Sequence, residues 1–254
     1  MALIKSKEEI VILREGGKRL AGILAFIVDA VKSGIHTDEL DRLAEQLIRK
    51  GGDEPAFLNY TPTGASRPYP ATLCVSVNDE IVHGIPNEHP KVLHEGDIVG
   101  LDIGLVHKNL VTDMAVTVPI GNVDADALKL LEVTKGALYA GIAASRGGRH
   151  IGDISQAIES FVGGRYGIVH ELGGHGVGHA VHEDPHVPNF GTVGTGVELV
   201  PGMVLALEPM FNEGGGDVVL ADDGYTFKTA DGKRSAHFEH TIVITGGAPE
   251  ILTK

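Results

Sequence analysis

A single cysteine, Cys74, among 254 residues excludes an intramolecular disulfide and any zinc site built from several thiolates, and it fits a reducing compartment. It lies in TLCVSV, where the apolar alternation predicts a half-buried strand residue. No apolar run approaches the roughly 20 residues needed to cross a bilayer, so no membrane partner is expected. The first residues, MALIKSKEEI, carry charges where a secretory signal needs its apolar stretch, which predicts a cytoplasmic protein. Basic residues are also scarce. With 21 Lys and Arg against 34 Asp and Glu, the formal net charge is -13. That argues against a DNA partner, because phosphate affinity comes from clustered cations. No Gly-Ser linker or low-complexity tract divides the chain.

What is present describes a globular chain, 43% hydrophobic and 22% charged, long enough for one large domain or two small ones. Ser6 and Glu9 have capping-box spacing, and Ile10, Leu13, Leu20, Leu24, Ile27 and Val31 recur at helical intervals until Gly34. A second helix is predicted from Thr37 through Leu40, Leu43, Ala44 and Leu47 to Gly51-Gly52. The order returns after Asp124: DADALKLLEVTKGALYAGIAA reads as a helix, and DISQAIESFV as a shorter one after Gly147-Gly148. A shift of 114 residues superimposes Gly34 on Gly148, Leu40 on Ile154, Ala44 on Ile158 and Glu45 on Glu159. The strand candidates are TLCVSV, EIVHGI, DIVGLDIGLV, LVTDMAVTV, MVLALEPMF, DVVLA and FEHTIVIT. Together these predict an α+β fold, one domain over 1–254, with pseudo-repeat halves of about 1–121 and 122–254 and a site in the cleft between them.

In DIVGLDIGLVHKNLVTDMAV, alternation puts Val99, Leu101, Ile103 and Leu105 on one strand face and Asp102 on the other, flanked by Gly100 and Gly104, which leaves space for a ligand. A two-residue hairpin loop at His107-Lys108 would set Asp102 directly opposite Asp113, with Cβ atoms about 5 Å apart. Like charges so placed imply a cation between them. The alternative is two unrelated acids on solvent-facing positions, which a three-residue loop would produce. Glu208 ends an apolar run before Pro209, and Glu239 interrupts another. Burying either unpaired is costly, so each needs a salt bridge or a metal.

The stretch GGHGVGHAVHEDPHVPNF at 173–190 contains HEDPH, a letter match to the HExxH motif of zinc proteases. That motif needs a helix carrying both histidines to one zinc. Pro185 disfavours helical geometry at Asp184 and removes a backbone donor, so the match reads as accidental. What remains is a glycine-rich loop able to bring His175 close to a ligand. Two Asp, two Glu and one His make an oxygen-dominated donor set suited to divalent Mn, Fe, Co or Zn. Four carboxylates exceed what one divalent ion needs, whereas two bridged ions balance them.

These segments, DIVGLDIGLVHKNLVTD, GGHGVGHAVHEDP, LALEPM and HFEHTIVIT, together with VNDEIVHGIP, resemble the type I methionine aminopeptidases of the pita-bread fold, from the first helix to the last strand. The fold so implied has two pseudo-symmetric halves, each a helix pair packed on curved, mainly antiparallel sheet, with the active site in the central cleft. The resemblance implies that Asp102, Asp113, His175, Glu208 and Glu239 bind two metal ions, with Asp113 and Glu239 bridging. It further implies that His83 contacts the scissile amide, that His182 polarises the carbonyl, and that Glu208 doubles as general base toward water. The methionine side chain is expected against Tyr60, Tyr69, Cys74, Val181 and Tyr225.

The departures from the family are local. NYTPTGASRPYP is longer than the usual loop. Phe57 stands where cysteine is common, Val181 where a large aromatic is common, and Tyr225 where tryptophan is common. Gly104 stands where threonine is frequent, Thr112 where glycine is, and Leu172 replaces an aromatic. They bear on substrate preference, rate and choice of metal.

The short bacterial-type form is the nearest pattern. The activity implied is removal of the initiator methionine from nascent polypeptides whose second residue is small, at the ribosome or after release, by a monomer. The alternatives are an Xaa-Pro aminopeptidase or dipeptidase of the same fold, which usually carries an additional N-terminal domain, and an inactive pita-bread binding protein, which usually lacks ligands.

Overall fold

The computed structural model describes residues 4–254. Helices α1 (Lys7–Ala30) and α2 (Thr37–Lys50) open the chain. The Ser6 hydroxyl accepts from Glu9 N–H at 3.1 Å and the Glu9 carboxylate accepts from Ser6 N–H at 2.7 Å, closing the expected capping box. Strands β1 (Glu54–Pro55), β2 (Leu73–Val77), β3 (Glu80–Val82), β4 (Ile98–His107) and β5 (Leu110–Pro119) follow. Then come α3 (Ala125–Ala144), α4 (Ile151–Val162), β6 (Gly167–Ile168), β7 (Gly173–Gly176), β8 (Glu183–Pro188), β9 (Val204–Leu207) and β10 (Met210–Asn212). The last elements are β11 (Val218–Leu220), β12 (Phe227–Thr229), β13 (Ser235–His237), β14 (His240–Val243) and β15 (Glu250–Ile251). No described helix is long and apolar enough to cross a membrane.

The molecule is α+β with antiparallel sheets. One sheet carries β1 and β2 on one edge of β4 and β5 on the other. Leu73, Val75, Leu101 and Ile103 of this sheet pack against Leu20, Leu24, Leu40 and Ala44 of α1 and α2. The second large sheet runs β15-β14-β9-β7-β8, and its Leu205, Leu207, Ile242 and Val187 pack with Leu130, Leu138, Ile154 and Ile158 of α3 and α4. Helices α2 and α4 begin at Thr37 and Ile151, behind glycines Gly34 (φ +90°) and Gly148 (φ +80°) and N-caps His36 and His150. The backbone N–H of each cap donates to a carboxylate three residues on, Glu39 at 3.0 Å and Asp153 at 2.8 Å.

The two sheets meet along β5. Asp113 N–H donates to Thr241 Oγ1 at 2.9 Å, and that hydroxyl donates to Asp113 O at 2.7 Å. Glu239 N–H donates to Ala115 O at 2.8 Å, and Thr117 Oγ1 donates to His237 O at 2.7 Å. This seam brings residues 113 and 239 together although 126 positions of sequence separate them.

The β4–β5 hairpin has a different register from the one expected. His107 pairs with Leu110, so the two loop residues are Lys108 (φ +49°) and Asn109 (φ +66°). A tight hairpin turn needs left-handed backbone at both central residues, which asparagine tolerates well. Asp102 therefore lies opposite Ala115, and Asp113 opposite Gly104. The slip is two residues, so both aspartates stay on one face and meet diagonally.

Other expectations changed in extent. MVLALEPMF is two strands in different sheets, broken at Glu208-Pro209. FEHTIVIT is broken at Glu239, between β13 and β14, and EIVHGI ends at Val82. GGHG is not a loop but strand β7. Its glycines serve close backbone approach: a Cβ on Gly174 would lie 2.3 Å from Ala206 O, and one on Gly176 2.2 Å from Asp184 O.

Candidate active site

The cleft is lined by all twelve residues singled out from the sequence: Asp102, Asp113, His175, Glu208 and Glu239 at its polar end, His83 and His182 beside them, and Tyr60, Tyr69, Cys74, Val181 and Tyr225 around the rest. Phe57 and Pro62 complete its wall. β4 and β5 supply the aspartates. Glu208 and Glu239 sit at the two strand breaks, where a side chain leaves its sheet for the seam. His175 is carried by β7, paired with Ala206 of β9.

Ligand atoms of Asp113, His175 and Glu239 all lie within 4.8 Å of one another. His175 Nε2 is 3.3 Å from Glu208 Oε1, and its Nδ1 is 2.9 Å from Gly176 O. Since a carbonyl only accepts, Nδ1 carries a proton. In ion-free protein the hydrogen bond and charge of Glu208 outweigh burial and raise the imidazole, so that Nε2–H also donates to Glu208. The neutral ring would instead turn an Nε2 lone pair toward the carboxylates, as a metal ligand needs.

Crowding decides the electrostatics. Burial, then the charge of Glu208, pushes the Asp102 carboxyl up to about 8. Burial and the neighbouring acids Asp102 and Glu208 push Asp113 well above the carboxylate range, and burial with Asp113 does the same to Glu239. Glu208 differs. Burial raises it, but the hydrogen bond and charge of His175, with His237 and His182, outweigh that and leave it lowered. Burial also lowers His83, and burial together with the charge of His175 lowers His182 to about 4.

HEDPH is not a helix. Residues Glu183 to His186 lie in β8, and Glu183 is buried outside the lining of the cleft. Its carboxylate takes Lys5 Nζ at 2.6 Å, with both side chains almost fully buried, and accepts the backbone N–H groups of His179 and Ala180. Glu183 thus ties the start of the chain to this loop. Lys5→Met is expected to cost about 3 kcal/mol, since it leaves a buried carboxylate without its charge partner. Chemical denaturation would test this; a loss below about 1 kcal/mol would refute the pairing.

Sequence reasoning missed His237. It is buried in β13, with Nε2 3.7 Å from Glu208 Oε2 and 4.0 Å from Glu239 Oε2. Its spacing two residues before Glu239 was the available signal, because i and i+2 on a strand share a face. The expected space beside Asp102 is also partly filled: a Cβ on Gly104 would lie 2.7 Å from Phe57 Cε1. The Phe57 ring thus occupies the space that a side chain at 104 would fill.

Comparison with known proteins agrees with this geometry. Residues 12–246 match the model of metallopeptidase family M24. The methionine aminopeptidase of Clostridium perfringens is 42% identical over 254 residues, covering 100% of this chain and 99% of that protein. Methionine aminopeptidase 1 of Bacillus subtilis is 43% identical over the full length of both chains. The chain belongs to metallopeptidase family M24, among the methionine aminopeptidases.

The crystal structure of the Thermotoga maritima methionine aminopeptidase superposes on this M24 chain with a TM-score of 0.94 at 41% identity, over 99% of this chain and 98% of that one. A Xaa-Pro dipeptidase from Bacillus anthracis gives 0.76 at 22% identity, matching 99% of this chain but 62% of its own, a likeness of fold alone. The fold is the pita-bread fold. The donors fit a metal: Asp102 Oδ1, Glu239 Oε1 and His237 Nε2 are buried without a hydrogen-bond partner. Buried polar atoms of that kind are rarely left unsatisfied, and facing carboxylates with raised pKa values answer to cations. This M24 peptidase has its potential metal cluster at the seam of its two sheets.

Proposed function

We infer that the chain is a methionyl aminopeptidase, which hydrolyses the first peptide bond of chains that begin with methionine and continue with a small residue. The observation that supports it most directly is the adjoining of an acidic, histidine-bearing floor and an apolar pocket within one cleft. Asp102, Asp113, His175, Glu208 and Glu239 would hold two divalent ions, with Asp113 and Glu239 bridging; Co, Mn, Fe and Zn all suit the donors. Such ions, when bound, supply Lewis acidity toward water and the scissile carbonyl.

The remaining work falls to side chains. Glu208 is held ionised by its histidine neighbours and can take a proton from attacking water. His182 is neutral at pH 7, since its pKa lies near 4. Tyr60 OH is 3.0 Å from His182 Nδ1. If the phenol donates, the ring proton sits on Nε2, ready to donate to the carbonyl oxygen as charge builds there. His83 follows β3 with left-handed backbone (φ +60°) and reaches the same space, where it would contact the amide. Tyr60, Tyr69, Cys74, Val181 and Tyr225 would take the methionine side chain. The whole of 1–254 would act as one catalytic domain of two similar halves. The lone buried cysteine fits a reducing compartment, and the chain would act in the cytoplasm, as a monomer, on nascent N termini, including those at the ribosome.

Incubating metal-loaded protein with Met-Ala-Ser and Ala-Pro-Ala, then weighing the products, tests the reading. Release of methionine alone is expected; cleavage of Ala-Pro-Ala alone would favour the Xaa-Pro activity, and cleavage of neither the inactive one. The pocket carries a further expectation. Val181 is small and buried in the wall, and one missing apolar contact is worth about 1 to 3 kcal/mol of discrimination. Methionine should remain preferred, with norleucine and phenylalanine rejected less strongly than by relatives with an aromatic at that position. Tight exclusion of every larger first residue in kcat/KM would contradict this.

A further inference from the structure

The segment 61–68 is fastened beside the cleft at Arg67. Both terminal nitrogens of Arg67 meet the two carboxylate oxygens of Glu88, Nη2 to Oε2 at 2.8 Å. Nη2 also donates to Asp223 O at 3.1 Å. Tyr225 OH donates to Arg67 O, and the guanidinium lies 5.8 Å from the Tyr225 ring centroid. Tyr225 is fixed at its other end as well, because Asp223 Oδ1 accepts from the backbone N–H groups of Tyr225 and Thr226, each at 2.8 Å. Its ring packs edge-on against Tyr69 at 5.1 Å, and Pro62, at the start of the same segment, lines the cleft.

An ion pair whose side chains are 36% and 35% exposed contributes little to folding. Its fork geometry fixes direction instead, since a bidentate guanidinium–carboxylate pair holds two planes in register. Arg67 therefore ties segment 61–68 to two neighbouring stretches at once, the turn after His83 and the turn that presents Tyr225. Neither Arg67 nor Glu88 lines the cleft. What they hold does.

We propose that Arg67 is a specificity-determining latch, which pins segment 61–68 to Glu88 and Tyr225 and so fixes the outer wall of the pocket for the first residue's side chain. The inference rests on the reading of the cleft as a site for N-terminal methionine. A wall held from outside can be loosened without touching the groups that do chemistry. Freed, Tyr225 and Pro62 would fit methionine less closely and admit larger side chains.

Arg67→Met and Glu88→Gln in the metal-loaded enzyme, assayed with Met-Ala-Ser, norleucine-Ala-Ser and Phe-Ala-Ser, test it. In Arg67→Met, KM for Met-Ala-Ser should rise while kcat changes by less than about threefold, and the Met/Phe ratio of kcat/KM should fall about tenfold, the scale of one lost apolar contact. Glu88→Gln should shift the ratio in the same direction, and the double variant should do no more than Arg67→Met, since both changes open one contact. A Met/Phe ratio that stays at the wild-type value in both single variants, or an equal loss of kcat on all three peptides, would overturn the latch while leaving the aminopeptidase reading intact. A wild-type enzyme that releases no methionine would sink both.

Discussion

Removing divalent ions with a chelator is expected to abolish cleavage of Met-Ala-Ser, and divalent Mn, Co or Fe to restore it. The four carboxylates Asp102, Asp113, Glu208 and Glu239 share one buried cleft with one histidine donor, and three of them are pushed toward their protonated forms by burial and by one another. A protonated acid is a poor ligand and no base. Cations reverse that preference, so ion binding and carboxylate ionisation are one coupled event. The same coupling sets the pH dependence of stability. In ion-free protein the folded-state pKa of Asp102, about 8, lies above its unfolded value. The contribution is then fully present below about pH 4, the unfolded aspartate range, and is lost as pH rises through the folded value. Asp113 and Glu239, also raised, act in the same direction. Ion-loaded protein holds the ionised forms and escapes this loss. The difference in Tm between loaded and stripped protein should therefore widen from pH 5 to pH 8. Full turnover in protein shown by elemental analysis to hold no metal would defeat the mechanism, and a Tm difference flat across that range would defeat the electrostatic account.

Local signals carried most of the architecture. The capping box at Ser6, the breaks at Gly34 and Gly148 and the alternation in β4 and β5 are decided within a few residues, and each took the expected form. Asp102 and Asp113 were legible as a same-face pair even though the turn sits one residue later than expected, because a two-residue slip preserves the face that a one-residue slip would reverse. Strand β7 was hidden by composition. Glycine reads as loop, and only the positions of Ala206 O and Asp184 O explain why side chains are excluded there. The hardest features to read were those joining distant segments. Lys5 reaches Glu183 across 178 residues, and Thr241 holds the backbone of Asp113 across 128. No periodicity encodes either contact. Phe57 and Gly104 read as two separate oddities in the sequence, and only the packing of the ring against the missing Cβ joins them.

Two glutamates separate the assigned chemistry from its sequence decoy. Glu208 lies between β9 and β10 with Oε1 3.3 Å from His175 Nε2, within the cleft, whereas Glu183 faces Lys5 and two backbone N–H groups outside it. On the proposed reading Glu208→Gln keeps the shape but would remove both a charged metal donor and the proton acceptor, and should lower kcat at least about 100-fold, the lower range for a lost general base. Glu183→Gln removes the charge opposite Lys5, so it should act mainly on stability and on the placing of His182, with kcat falling by no more than about tenfold, less than the loss of a general base causes. Metal content and folding have to be measured beside the rates, because a lost ligand can empty a site and a lost ion pair can unfold a loop. Were Glu183→Gln inert but folded and metal-replete, and Glu208→Gln nearly normal, the base would lie on β8 and the dinuclear assignment would fall. The structure argues the other way: a strand with proline at its third position cannot set His182 and His186 on successive helical turns, and the carboxylate between them is already committed to Lys5.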